Sequence, residues 1–243
     1  MSMNAKANGR LTQAERTEIS DNRMLNAAVR LIVDRGPAVT SLKEVGLLAG
    51  YSRGLAGQRF GSKDKLFAFV LRQIGDSWLG QLKKATDKET GLGAILDALD
   101  EHYKFCFEAP DQVRAFYTLL FESINAGSEL SEIIGNIHNR RHLDVMNWIT
   151  ADSEISEQIK QNADAIAGQF CASVIGIVYA WLANPGDLEA TCELHENLKT
   201  LRLPIDYTRN RMGKHSQLST YKKQQKRAEL CFSFFHRPSY QRV

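Results

Sequence analysis

The stretch from Thr40 to Leu66, TSLKEVGLLAGYSRGLAGQRFGSKDKL, constrains the fold more than any other part of the chain. Ser41 followed three residues on by Glu44 is a capping box and predicts a helix start. Leu42, Val45 and Ala49 recur at spacings of three and four, which gives that helix one inward stripe. Gly50 supplies the left-handed backbone that ends it. Ser52 is expected to cap a second helix almost at once, because its hydroxyl accepts a free backbone N–H. Ala56 and Phe60, four apart, pin this second helix down and leave Arg53, Leu55, Gln58 and Arg59 to face outward. Ser62 is expected to cap the next helix, with Lys63 at its start. Two helices joined by so short a turn form a helix-turn-helix, and the second is suited to enter a major groove. An ordinary helical hairpin with exposed charges satisfies the same spacing.

The run Ala49-Gly50-Tyr51-Ser52, then Phe60, Lys63 and Leu66, resembles the TetR family of bacterial transcriptional regulators. Upstream, Leu25-Asn26-Ala27-Ala28, Leu31-Ile32 and Gly36 resemble that family's first helix. The resemblance is specific over residues 23–70 and architectural beyond. It implies an all-α protein, with an N-terminal three-helix DNA-binding domain and a larger C-terminal helical domain for ligand binding and dimerisation. It also implies a repressor that binds double-stranded operator DNA and is released by a small, apolar or aromatic effector. A two-fold protein needs two half-sites, so the operator is expected to be an inverted repeat.

By the same resemblance Arg53 matches a position that reads a base, where arginine can pair with guanine O6 and N7. Leu55 matches a neighbouring position suited to a thymine methyl. Gln58 and Arg59 have the reach for phosphate or base edges. Lys63 matches a lysine that grips the backbone, and Thr40 or Ser41 can do so from a helix N-terminus. Tyr51 and Ser52 complete the expected DNA-facing set. The chain departs from the family at Gly57, where a tyrosine usually touches phosphate. It departs again at Gly46, usually alanine, and at Leu47 and Leu48, usually polar.

Charge is distributed in the same sense. Residues 1–75 hold twelve basic and six acidic side chains, residues 76–208 ten and twenty-one, and residues 209–243 nine and one. A basic head on an acidic body suits a protein that holds nucleic acid at one end only. Cys106, Cys171, Cys192 and Cys231 form no CxxC, so neither a zinc ribbon nor a redox pair is indicated, and reduced thiols in a cytoplasmic protein are expected. The N-terminus has no apolar signal core. The longest apolar run, residues 170–183, is shorter than the ~20 residues that span a bilayer, so no membrane partner is expected.

Helical periodicity continues along the chain: about 21–35, from Ser62 to about Leu82, 94–108, 110–124, 129–150, 158–183 and 187–202. Gly36-Pro37, Pro110, Ala126-Gly127 and Asn184-Pro185-Gly186 punctuate it. The expected organisation is a mobile segment at 1–20, the DNA-binding domain at 21–66 and an effector-binding and dimerisation domain at 67–205. A basic tail at 206–243 is expected to be disordered.

Gly168, Ala172, Gly176 and Ala180 fall at four-residue steps, a line of small residues that lets another helix approach closely. With Leu188 and Leu198 they match the family's dimer interface; packing within one chain is the alternative. Trp78, Tyr103, Phe107, Tyr117 and Phe121 are candidates to line an effector pocket, although such aromatics also build ordinary cores. His138 and His142 share a helix face at metal-ligand spacing, but two ligands do not make a zinc site, so pocket wall or polar surface is expected and no metal. No cofactor motif or catalytic set is present: no P-loop, no GxSxG and no HExxH. The rival to a regulator is a helical enzyme or scaffold with an incidental helix-turn-helix.

Overall fold

A computed structural model of the chain describes residues 11–125, 129–184 and 188–200. All regular elements among them are helical: α1 Gln13–Arg35, α2 Leu42–Leu48, α3 Leu55–Phe60, α4 Lys63–Thr86, α5 Gly91–Glu108, α6 Pro110–Glu122, a 3-10 turn Ser123–Asn125, α7 Glu129–Ala151, α8 Glu157–Gln161, α9 Ala163–Ala183 and α10 Leu188–Thr200. The expected turn at Ala126-Gly127, the break at Pro185-Gly186 and the basic tail 206–243 lie outside the described residues, as do the first ten. The helices fall into two compact units, Met1–Lys84 with Lys104–Arg140, and Ala85–Tyr103 with the chain from Arg141 onward.

In the first unit α1 begins eight residues earlier than its apolar periodicity suggests. Thr12 accepts from the Glu15 N–H at 3.2 Å while the Glu15 carboxylate accepts from the Thr12 N–H at 2.7 Å. This reciprocal cap satisfies two otherwise orphaned donors and carries the helix through residues 13–20, which the sequence assigns to a mobile segment. Met24, Ala27, Ala28, Leu31 and Ile32 then bury the inner face of α1, which packs on α2 and on α6. Gly36, at φ 85°, ends the helix with its N–H on the Ile32 carbonyl. Pro110 sits in the first turn of α6, where its missing N–H leaves nothing unsatisfied, and Val113, Phe116, Tyr117 and Leu120 bury the helix.

In the second unit α9 packs on α10 and α8 on α9. The helix expected over 158–183 is broken at Asn162, whose N–H turns back to the Ile159 carbonyl and ends α8 before α9 begins. Ile166, Ala167, Phe170, Val174, Ile177, Val178 and Trp181 bury one side of α9. At 21 residues α9 is long and apolar enough to cross a membrane, so the shorter run at 170–183 understates it. Its buried side is that of a core helix. Gly91, at φ 54°, opens α5 against Asp152, where any Cβ would stand 1.9 Å from the carboxylate.

Candidate nucleic-acid interface

The helix-turn-helix forms where the spacing predicts it. Ser41 caps α2, accepting from the Glu44 N–H at 3.3 Å and donating to the Glu44 carboxylate at 2.8 Å. Gly50, at φ 82°, makes the turn. The cap of α3 differs from expectation. Ser52 stands earlier, its carbonyl accepting from the Leu55 N–H, and Gly54 takes the cap position without a side-chain bond. Gly46 has a reason to be glycine in this chain. A Cβ there would come within 2.9 Å of the Ser52 carbonyl oxygen and 3.6 Å of the Ala56 methyl, so its absence lets α3 close down on α2. Ala56 and Phe60 are buried beneath α3, with the Phe60 ring 5.1 Å from that of Phe69.

On the outer side Ser52, Arg53 and Gln58 are exposed, and Tyr51 and Leu55 are half-buried. These five remain available to a ligand. The other four expected DNA residues have work inside the head. Thr40 is buried: its hydroxyl donates to the Gly36 carbonyl at 2.9 Å and its N–H to that of Pro37, so its side chain has no reach to a phosphate. The Ser41 hydroxyl is taken by the cap. Arg59 is ion-paired with Asp21 of α1 and lies over the Phe60 ring, so it ties the end of α3 to the head. Lys63 donates to the Ala38 carbonyl at 2.6 Å, clamping the start of α4 to the loop before α2. Lys43 on α2 and Lys65 on α4 are exposed cations that periodicity alone does not single out. Local basicity was the signal for them.

The small-residue line on α9 faces outward. Ala172 and Gly176 are exposed, Gly168 and Ala180 half-buried. Nothing lies within 4 Å of a Cβ built on Gly176, so in the single chain no helix exploits its missing side chain. Tyr179, 62% exposed, and Leu194 of α10, 38% exposed, are further apolar groups left in solvent. Leu198 is instead buried in its own unit, and the side chain of Leu188 lies outside the described residues.

The aromatic candidates divide between the units. In the first, Trp78 stacks on Phe105 at 5.1 Å, and buried Tyr117 meets Phe116 edge-on at 5.5 Å and Phe121 at 6.4 Å. Trp78 and Tyr117 are therefore core, while Phe107, Phe121 and His138 are half-buried. In the second, the Tyr103 and His195 rings meet in a T-shaped pair at 5.5 Å, and His142 bonds Asp164 at 2.8 Å, which occupies one of its ring nitrogens. One buried pair has no counterpart among the expected residues: His102 and His195, 93 positions apart, meet at 2.8 Å. Their separation left no local signal.

Residues 24–70 match the family model of the bacterial regulatory proteins, tetR family. An HTH-type transcriptional repressor of Mycobacterium tuberculosis is 34% identical over 79 residues, 32% of this chain and 40% of that relative. The chain is thus matched over less than half the length of its curated relatives. Among solved structures, a transcriptional regulator from Rhodococcus sp. is similar with a TM-score of 0.64 at 20% identity, over 74% of this chain and 92% of that one. AibR, in complex with isovaleryl coenzyme A and operator DNA, gives 0.62 at 16% identity, over 76% and 99%. At such identities the structural likeness speaks for the fold. The helix-turn-helix geometry and the match across residues 24–70 make the head of this chain similar to that of the bacterial regulatory proteins of the tetR family, and the helical architecture is shared with solved regulators over about three quarters of the chain.

Proposed function

We propose that the chain is a cytoplasmic, homodimeric, non-enzymatic transcriptional repressor that grips an inverted-repeat operator and releases it on binding a small effector. The observation that carries this is the head. Arg53 stands exposed in the turn just before the short recognition helix and Gln58 exposed on it, and the helix's other face is fixed by Ala56, Phe60 and the Asp21–Arg59 ion pair. A rigid helix with free donors on its outer side is what base-edge recognition requires. Residues 21–66 would read DNA, and residues 67–205 would bind the effector and dimerise. The outward small-residue line of α9 supports the dimer, and AibR, similar in fold and seen in complex with isovaleryl coenzyme A and operator DNA, supports a chain that takes both kinds of partner.

Coupling follows from linkage. An effector that prefers the non-binding arrangement of the two heads lowers operator affinity by the same factor by which DNA lowers effector affinity. The test is anisotropy of a labelled inverted-repeat duplex against protein at several salt concentrations. A repressor gives saturable binding that weakens linearly in log–log form with salt, because each phosphate contact releases a counterion. A helical enzyme or scaffold gives no binding beyond that of scrambled DNA.

A further inference from the structure

The second unit contains a buried polar cluster that DNA binding does not use. His102 on α5 and His195 on α10 are 3% and 0% exposed. His102 Nδ1 and His195 Nε2 are 2.8 Å apart, and the rings lie 5.1 Å apart at 34°. His195 Nδ1 is 2.7 Å from the Thr191 carbonyl, which can only accept, so Nδ1 carries the hydrogen. In the neutral ring Nε2 is then an acceptor, and His102 Nδ1 must donate to it. One carbonyl thus fixes the tautomers of both rings.

We propose that this pair is a proton-sensitive latch, holding α10 on α5 at neutral pH and releasing it in mild acid. A proton on His195 turns Nε2 into a donor that faces the donor on His102, and the bond survives only if His102 moves its hydrogen to its other nitrogen. A second proton sets two N–H groups against each other with no acceptor between them. Cys106, one turn along α5 from His102, is a further titratable neighbour of the pair. Lys199 on α10 already holds both neighbouring carboxylates, Asp100 of α5 and Glu196 of α10, at 2.5 Å each. Arg141 of α7 adds a second cation, and the Tyr103 ring of α5 packs on His195 with ring centres 5.5 Å apart. The one charged residue of α9 is Asp164, which is bonded to His142.

Burial, joined by the charges of His195 and Arg141, pushes the His102 pKa well below its ordinary 6.5. Burial also lowers that of His195; the Thr191 carbonyl, Glu196 and Asp100 oppose this, and Lys199 adds to it. The sign follows. Both rings stay neutral while latched and take up protons at about pH 6.5 once released, so the latch is intact above that pH and weakens below it. Each ring can raise the opening constant up to about tenfold per pH unit, and the pair up to about a hundredfold. Because α10 packs on α9, acid should also loosen the dimer, a consequence that rests on the proposed α9 interface. The latch itself does not rest on it.

Amide hydrogen exchange of α10 in the full chain, corrected for intrinsic rates and compared between pH 7.5 and 5.5, tests this. The control is H102N/H195Q, in which the asparagine amide keeps a donor near Nδ1 and the glutamine oxygen keeps an acceptor near Nε2, without titration. The expected result is at least a tenfold rise in wild-type α10 opening at pH 5.5 and less than threefold in the variant. Equal protection of wild-type α10 at both pH values, or equal acid opening in the variant, overturns the proposal. Should the variant fail to fold, ring C–H titration of the wild type by NMR decides. Two of the six histidines staying neutral through pH 6.5 upholds the latch, and six ordinary titrations overturn it. Sedimentation at pH 5.5 is a separate arm: a tight dimer with α10 open rejects α10 as part of the interface.

Discussion

Gly57 and Gly176 are both helical glycines with nothing within 4 Å of the Cβ each lacks. On helix propensity alone each position gives up roughly 1 kcal/mol against alanine. Their surroundings differ. Around Gly57 the exposed neighbours are polar, with Gln58 on the same short helix and Arg53 in the turn before it, in a segment with an excess of basic residues. Around Gly176 they are small and apolar, Ala172 and Ala180, with Tyr179 in solvent, on a helix whose opposite side is buried in its unit. The first kind of surface suits a polyanion and the second another apolar helix. An open glycine therefore says that something can come close, and its neighbours say what.

The largest effect is expected at Gly176. In Gly176→Leu the side chain has room in the single chain, so the fold should hold. Where two backbones meet, overfilling typically destabilises by about 1–3 kcal/mol per subunit, counted twice across a two-fold axis. Sedimentation should show monomers, with operator affinity falling as the linked second head is lost. A tight dimer would remove the contrast between the two glycines.

Arg53→Ala is next. Loss of one bidentate base contact should weaken discrimination at a single base pair by about 1–3 kcal/mol. Lys63→Ala, which frees the Ala38 carbonyl, should weaken all sequences alike. Competition with single-base operator variants separates the two patterns, and an unchanged preference in Arg53→Ala removes that residue from the groove.

The smaller effects lie within the head and have opposite signs. Gly46→Ala gains propensity but drives a Cβ to 2.9 Å from the Ser52 carbonyl oxygen. A net loss of about 1–2 kcal/mol is expected from overpacking against backbone. Gly57→Ala meets open space and should stabilise the head by about 0.5–1 kcal/mol. Thermal unfolding of the two variants side by side checks both.

What the sequence made legible was local. Ser41 and Glu44, Gly50, and the Ala56–Phe60 spacing each act within a few residues, and the head formed as they predict. The same capping chemistry stands at Thr12 and Glu15, where polar composition outweighs a two-residue signal. The break at Asn162 has no sequence signal, because apolar residues continue on both sides of it. Tertiary contacts were out of reach. Nothing near Arg59 or Lys63 in the sequence indicates Asp21 or the Ala38 carbonyl as a partner, yet the fold uses both side chains. The line on α9 was legible as small residues, and only the open space at Gly176 turns it away from packing within the chain.

The most direct test is selection of bound sequences from random double-stranded DNA by the wild type and by Gly176→Leu in parallel. A dimeric reader enriches an inverted repeat, and the variant enriches a single half-site more weakly. Enrichment of no sequence by the wild type, or the same inverted repeat selected equally well by the variant, would contradict the account.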